Sequence, residues 1–137
     1  MKLKIFTDGG SRGNPGEAAI GAVIINVENG QKIAELSKCI GIATNNVAEY
    51  SAVLEALDWV VANVGKSELE FILDSELVAR QLSGIYKVRD INLKRIYFMA
   101  RQRIIELGGV SSFTAVKREK NREADALVNL ALDNKIL

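Results

Sequence analysis

The sequence predicts an α/β fold on one five-stranded mixed sheet, three antiparallel strands and then two parallel ones, with helices on both faces. Three observations carry that expectation. Residues 2–42 hold three apolar runs in succession, and Asn29-Gly30 between the second and third is a strong hairpin signal. From Thr44 onward apolar residues recur at helical spacing. Two compact apolar runs, 69–73 and 112–116, then alternate with further helical stretches, giving the order β-β-β-α-β-α-α-β-α. Strands joined through helical crossovers pair in parallel, so a parallel pairing with the first strand is expected.

The first strand is read over residues 2–7. Residues 8–17 contain Gly9, Gly10, Gly13 and Pro15-Gly16, and are expected to form an irregular loop to the second strand. That second strand covers Ala18–Val27, and the third returns over Lys32–Ile42. Thr44-Asn45-Asn46 offers helix caps. The helix that follows is marked by Tyr50, Leu54, Leu57, Val61 and Val64 and ends at Gly65. Glu49 falls in or near its first turn, where the helix dipole favours a carboxylate. Leu69–Leu73 reads as a buried strand ending on Asp74, as the first strand ends on Asp8. Ser75–Leu82 forms a short helix closed by Gly84, and residues 85–90 form a loop. Leu93, Ile96, Tyr97, Ala100, Ile104 and Leu107 give the face of a third helix, stopped by Gly108-Gly109. After a last strand over Ser112–Val116 and a charged loop over Lys117–Lys120, Asn121 caps the final helix. Ala124, Leu127, Val128 and Ala131 face inward on that helix, and Asp125 lies near its start.

Composition narrows the chemistry. A chain of 137 residues with 48% apolar content suits one domain, read as 1–137, with a real core. The lone Cys39 allows no internal disulfide, so a cytoplasmic home is expected. The first strand begins at once, so no signal peptide is expected, and no apolar run reaches membrane-spanning length. The chain has no histidine, which excludes a Ser-His-Asp triad, a zinc–histidine site and imidazole acid–base work. Any catalysis rests on carboxylates, lysines or a metal. The net charge of +1 hides an asymmetry: residues 1–83 carry −4 and residues 84–137 carry +5. An acidic site beside a basic surface suits a metal-dependent enzyme of nucleic acid; solvated helix faces are the ordinary alternative.

If the first and fourth strands are parallel neighbours, Asp8 and Asp74 end side by side, at the edge where ligands of such sheets gather. A carboxylate followed by bare Gly9-Gly10 backbone suits a metal ion and a phosphate-bearing ligand. Taken singly, each acid has a plainer explanation. Asp8 and Asp74 can be turn residues, and Glu49 and Asp125 can be partners of a helix dipole.

Together the motifs are specific. Asp8 with Gly9-Gly10-Ser11-Arg12-Gly13-Asn14-Pro15-Gly16, then Thr44-Asn45-Asn46-Val47-Ala48-Glu49-Tyr50, then Leu73-Asp74-Ser75, then Arg118-Glu119-Lys120-Asn121-Arg122-Glu123-Ala124-Asp125 resembles type 1 ribonuclease H over nearly the whole chain. The stretch Ser83–Val88 is similar to compact members without a large basic insertion. The resemblance implies a ribonuclease H-like fold and four catalytic, metal-binding acids: Asp8, Glu49, Asp74 and Asp125. It implies hydrolysis of the RNA strand of RNA/DNA hybrids to 5′-phosphate and 3′-hydroxyl ends. Crowded carboxylates repel one another, and two Mg²⁺ ions about 3.5–4 Å apart would relieve that and drive an in-line displacement at phosphorus. Mn²⁺ would fit the same oxygens. By the same resemblance Gly9, Gly10, Ser11, Asn14, Thr44 and Asn45 meet the nucleic acid. Lys87, Lys94 and Arg118 are candidates for phosphates of the DNA strand. Tyr86 and Trp59 are candidate stacking groups, with packing the favoured role for Trp59.

Three departures from the family pattern stand out. The loop before the last helix lacks the histidine many members carry, leaving Arg118 or Glu119 to assist, or metal-bound waters to suffice. Glu76 stands where Gln is common, which removes a donor when ionised. The basic insertion is absent, so modest substrate affinity is expected. The partner expected is the hybrid duplex, with no membrane, no obligate protein partner and a monomeric chain. Two other readings stay open: a non-catalytic nucleic-acid-binding module on the same fold, and a related nuclease with another substrate.

Overall fold

The computed structural model describes residues 1–134. Its strands are β1 (Lys2–Gly13), β2 (Gly16–Asn26), β3 (Gln31–Ala43), β4 (Glu68–Leu73) and β5 (Ser111–Ala115). Its helices are α1 (Asn45–Asn63), α2 (Glu76–Leu82), α3 (Ile91–Glu106) and α4 (Arg122–Asn134), with a 3-10 turn over Arg118–Lys120. The strands form one sheet in the order β3-β2-β1-β4-β5. Pairing is antiparallel from β3 to β1 and parallel from β1 to β5, the mixed sheet that the element order predicts.

Alternation along the strands sets the layers. Leu3 and Ile5 of β1, Ala22 and Ile24 of β2, and Leu69, Phe71 and Leu73 of β4 share one core. Tyr50, Val53, Leu57 and Val60 of α1 and Leu93, Ile96, Ala100 and Ile104 of α3 cover them, and α2 joins through Val78, Ala79 and Leu82. Trp59 packs against this core, as expected of a residue inside the first helix. On the other side α4 lays Val128 and Leu132 on Ala19 of β2. At the sheet edge Phe71 and Phe113 stack with ring centroids 5.0 Å apart, joining β4 to β5.

The glycine-rich stretch departs from expectation. It is not a loop: β1 continues through it to Gly13, with Asp8 opposite Gly21, Ser11 opposite Ala18 and Gly13 opposite Gly16 on β2. The backbone ladder to β2 holds this segment straight, and one of its glycines serves close approach rather than turning. A Cβ on Gly9 would lie 2.1 Å from the Ala48 carbonyl oxygen on α1. The same demand recurs across the ladder, where a Cβ on Gly21 would lie 2.2 Å from the Ala124 carbonyl oxygen on α4. Asp8 therefore sits inside β1, not at its end. What ends beside it is the pairing with β4, whose last partners are Phe6 and Ile72. Asp8 and Asp74 thus lie where the two parallel strands part.

Candidate active site

Each acid is delivered by a different element. Thr44 caps α1 by accepting from the Val47 amide at 3.2 Å, which fixes where the helix begins. Bare Gly9 lets the helix backbone come against β1 at Ala48 and Glu49. Glu49 is thereby set beside Asp8. It belongs to the second turn of α1 rather than the first, which holds no acid. Asp74 follows the last residue of β4, ahead of Ser75, which caps α2 by accepting from Val78. Carboxylate oxygens of Asp8, Glu49 and Asp74 lie within 4.8 Å of one another.

Asp125 completes the group from the first turn of α4. It stands outside that tight trio yet lines the same cleft, and its charge and carboxyl contact act on Asp8. Two features seat it. Gly21 admits the start of α4 against β2. Asn121, 1% exposed, donates from Nδ2 to the Thr7 carbonyl at 2.8 Å, while its main-chain carbonyl accepts from the Asp125 amide at 3.1 Å. The Asn121 side chain is thus a tie between β1 and α4 rather than the expected helix cap.

The electrostatics are those of crowded, desolvated acids. Asp8 and Glu49 are 3% and 7% exposed. Burial, then the charge of Asp74, raises Asp8 from 3.8 to about 7. Burial, then the charges of Asp8 and Asp74, raises Glu49 from 4.5 to about 10. The Gly9 amide donates to Asp8 Oδ1 at 3.0 Å, and it partly offsets the rise at Glu49, while the carboxyl contact with Glu49 partly offsets that at Asp8. Among the described residues, Glu49 Oε2 and Asp74 Oδ2 are buried without a hydrogen-bond donor. Buried oxygens normally find partners, and an all-carboxylate set with orphaned oxygens fits a hard divalent cation. Asp8, Glu49 and Asp74 can hold one.

The cleft over these acids has a volume of about 490 Å³, and its lining includes Gly9, Gly10, Ser11, Asn45, Ser75 and Arg118. Asn14 Oδ1 accepts from the Asn45 amide at 3.0 Å, and Asn45 Oδ1 accepts from the Ser11 amide at 2.9 Å. Both side-chain oxygens are thereby committed, which leaves the exposed NH₂ groups to donate to a ligand. Thr44, Asn14 and Asn45 share a further groove with Asp90 and Asn92 at the start of α3. Arg118 enters the acid cleft, with Nε 3.6 Å from Asp74 Oδ2. Its neighbour Glu119 does not; it lines a different groove, with Phe6, Val23 and Ile25. Glu76 is paired with Arg80 at 2.8 Å and lines a second groove that also begins at Asp74. Lys87 is exposed in the segment after α2, and Lys94 is exposed on α3.

Two contributors escape a reading by motif. Arg12 stands at the cleft rim, bridged to Asp133 of α4 at 2.6 Å. Gly21 carries no chemistry, but a glycine inside an apolar strand is itself a mark of close backbone approach.

Known proteins are similar to this chain in sequence and fold. A family model described as reverse transcriptase-like matches residues 6–131. Ribonuclease HI of Halobacterium salinarum is 41% identical over 97% of this chain and 65% of its own length. A bifunctional protein of Mycobacterium tuberculosis is 41% identical over 97% of this chain and 36% of its own length. The chain therefore spans about a third of that mycobacterial relative. The crystal structure of LC11-RNase H1 in complex with an RNA/DNA hybrid superposes with a TM-score of 0.91 at 42% identity, covering 99% of this chain and 100% of that one. Sequence and fold agree over nearly the full length, and the chain belongs to the type 1 ribonuclease H family.

Proposed function

We propose that this chain is one ribonuclease H domain and a divalent-metal-dependent endonuclease that cuts the RNA strand of RNA/DNA hybrids, leaving 5′-phosphate and 3′-hydroxyl ends. The observation that carries the reading is the meeting of three carboxylates from β1, α1 and the end of β4, with oxygens within 4.8 Å. A module that only bound nucleic acid would gain from removing these charges, since buried acids repel phosphate. Asp8, Glu49, Asp74 and Asp125 are assigned as the metal ligands, with two Mg²⁺ ions the natural occupants and Mn²⁺ an alternative. Held there, divalent cations would offset the acids' repulsion and supply the means to activate a water and stabilise the leaving oxygen.

The chain's own groups supply position. Gly10, Ser11, Asn14, Thr44 and Asn45 line one side of the path, where a wide minor groove can be read through shape and 2′-hydroxyls. At Gly9 the missing side chain makes room for α1, so only its backbone is offered to the RNA. Arg118, beside Asp74 in the loop that lacks the histidine, holds a phosphate oxygen next to the reacting centre. Glu119 is too far round the turn to share it. Lys87 meets the uncleaved strand, and Glu76, occupied by Arg80, is a weaker base contact than Gln would be. The same reading takes the chain to be monomeric and cytoplasmic.

The test is Asp74→Asn, which removes a ligand charge at nearly constant size. Cleavage should fall by at least about 100-fold, about 2.7 kcal/mol or more in the barrier, with circular dichroism unchanged and calorimetric Mn²⁺ binding weakened. Full cleavage by a pure, folded variant would remove Asp74 from the site. A second variant, Arg118→Ala, should slow turnover more than it weakens hybrid binding.

A further inference from the structure

A buried polar chain runs beneath the segment that follows α2. Tyr50, fully buried on α1, donates its hydroxyl to Gln81 Oε1 at 2.7 Å. Gln81, 7% exposed on α2, donates from Nε2 to the Lys87 carbonyl at 3.3 Å. The Arg80 carbonyl accepts from the Ile85 amide at 2.9 Å and the Tyr86 amide at 3.2 Å, and the Arg80 guanidinium lies 5.5 Å from the Tyr86 ring centre. Val88 anchors against the main core, and Asp90 caps α3. Residues 84–90 have no regular hydrogen bonding of their own, so these ties from below set their path. Outward they present Tyr86, 48% exposed, together with Lys87 and Arg89.

The segment's position matters as much as its composition. Near its first end, Ile85 lines the groove that Asp74 also lines. Its last residue, Asp90, lines the groove formed with Asn14, Thr44 and Asn45. It therefore bridges the two grooves that flank the acids. An aromatic ring and two cations displayed there match the sugar–phosphate backbone of a nucleic-acid strand, the ring packing on a sugar and the cations meeting phosphates.

We propose that Gln81, gripped by Tyr50, is a positioning residue for substrate: it holds residues 84–90 in one pose so that Tyr86 and Lys87 meet the strand that is not cut. The inference rests on the hybrid-cleaving reading above. Neither Gln81 nor Tyr50 lines the cleft over the acids, and the Tyr50 hydroxyl is turned to Gln81, so their loss is expected in binding rather than in the chemical step. Without the tie the segment samples other paths, and ordering it again on binding costs affinity.

The test compares wild type, Gln81→Met and Tyr50→Phe, which keep the buried volume and remove the bonds. Cleavage kinetics on an RNA/DNA hybrid should show KM raised about fivefold with kcat within about twofold, because the interaction lost is uniform binding. Fluorescence anisotropy on an Asp8→Asn background should show the same rise in Kd. The decisive arm repeats Gln81→Met with Tyr86→Ala and Lys87→Ala already in place, where it should add almost nothing. If Gln81→Met folds poorly, Tyr50→Phe, which keeps its ring in the core, carries the same comparison. A fall in kcat at constant KM, an equal loss on the Tyr86→Ala/Lys87→Ala background, or wild-type kinetics in both variants overturns the proposal. A wild-type protein that cuts the hybrid while these variants behave like it sinks only the role of Gln81. A wild-type protein that neither binds nor cuts sinks both readings.

Discussion

At the scale of single residues, the acids are strained partners until something positive joins them. Asp8 holds its proton to about pH 7 and Glu49 to about pH 10 in the metal-free protein. Their ordinary values are 3.8 and 4.5, so the folded state binds more protons than the unfolded one above those values. Stability must then fall as pH rises, from 3.8 to about 7 for Asp8 and from 4.5 to about 10 for Glu49. Melting in EDTA should show a lower Tm at pH 8.5 than at pH 5.5. Asp8→Asn should flatten that slope and stabilise the protein at the higher pH by roughly 1–3 kcal/mol, the scale of one to two pKa units. A Tm that rises with pH in EDTA, or Asp8→Asn that destabilises at high pH, would show that the acids do not repel as described. The acids themselves were legible in the sequence because each stands in its own motif. Their proton affinity was not, since it depends on how deeply three separate elements bury them together.

At the scale of elements, two glycines do work that a motif reading assigns elsewhere. Gly9 and Gly21 leave space for the backbones of α1 and α4, and those helices bring Glu49 and Asp125 to Asp8. Gly9→Ala and Gly21→Ala should each cost roughly 1–3 kcal/mol of stability, because the obstructing atoms are backbone that cannot rotate away. Gly21→Ala should also weaken cleavage beyond its effect on the folded fraction, by moving Asp125. Thermal melts and cleavage by fully folded protein separate the two effects, and a neutral Gly21→Ala would show that α4 shifts freely. Element order, the hairpin at Asn29-Gly30 and most helix limits follow from spacing and caps. The continuation of β1 to Gly13 does not, because glycine's local preference against strand was outweighed by pairing with β2 along the whole segment. Asn121 shows the same limit: local chemistry favours a cap, but a backbone carbonyl on a distant strand takes its side chain.

At the scale of the whole molecule, the sheet parts between β1 and β4 and places an acidic cleft there, with cations supplied from later in the chain. Arg118 reaches Asp74 from the turn before α4, and Lys87 and Arg89 stand on the segment after α2. This is the spatial form of the charge asymmetry between the two halves of the sequence. Family membership was legible from four short motifs in the right order; the bridging of two grooves by residues 84–90 needed the fold. The central claim is that these acids cut RNA in a hybrid. The measurement that tests it most directly is cleavage of an end-labelled RNA/DNA hybrid with Mg²⁺, beside single-stranded RNA, duplex RNA and duplex DNA, with EDTA and Asp8→Asn as controls. The expected result is cutting of the hybrid's RNA strand that needs the metal and disappears in the variant. Folded protein that leaves the hybrid intact with either Mg²⁺ or Mn²⁺, or that cuts equally well as Asp8→Asn, would contradict it.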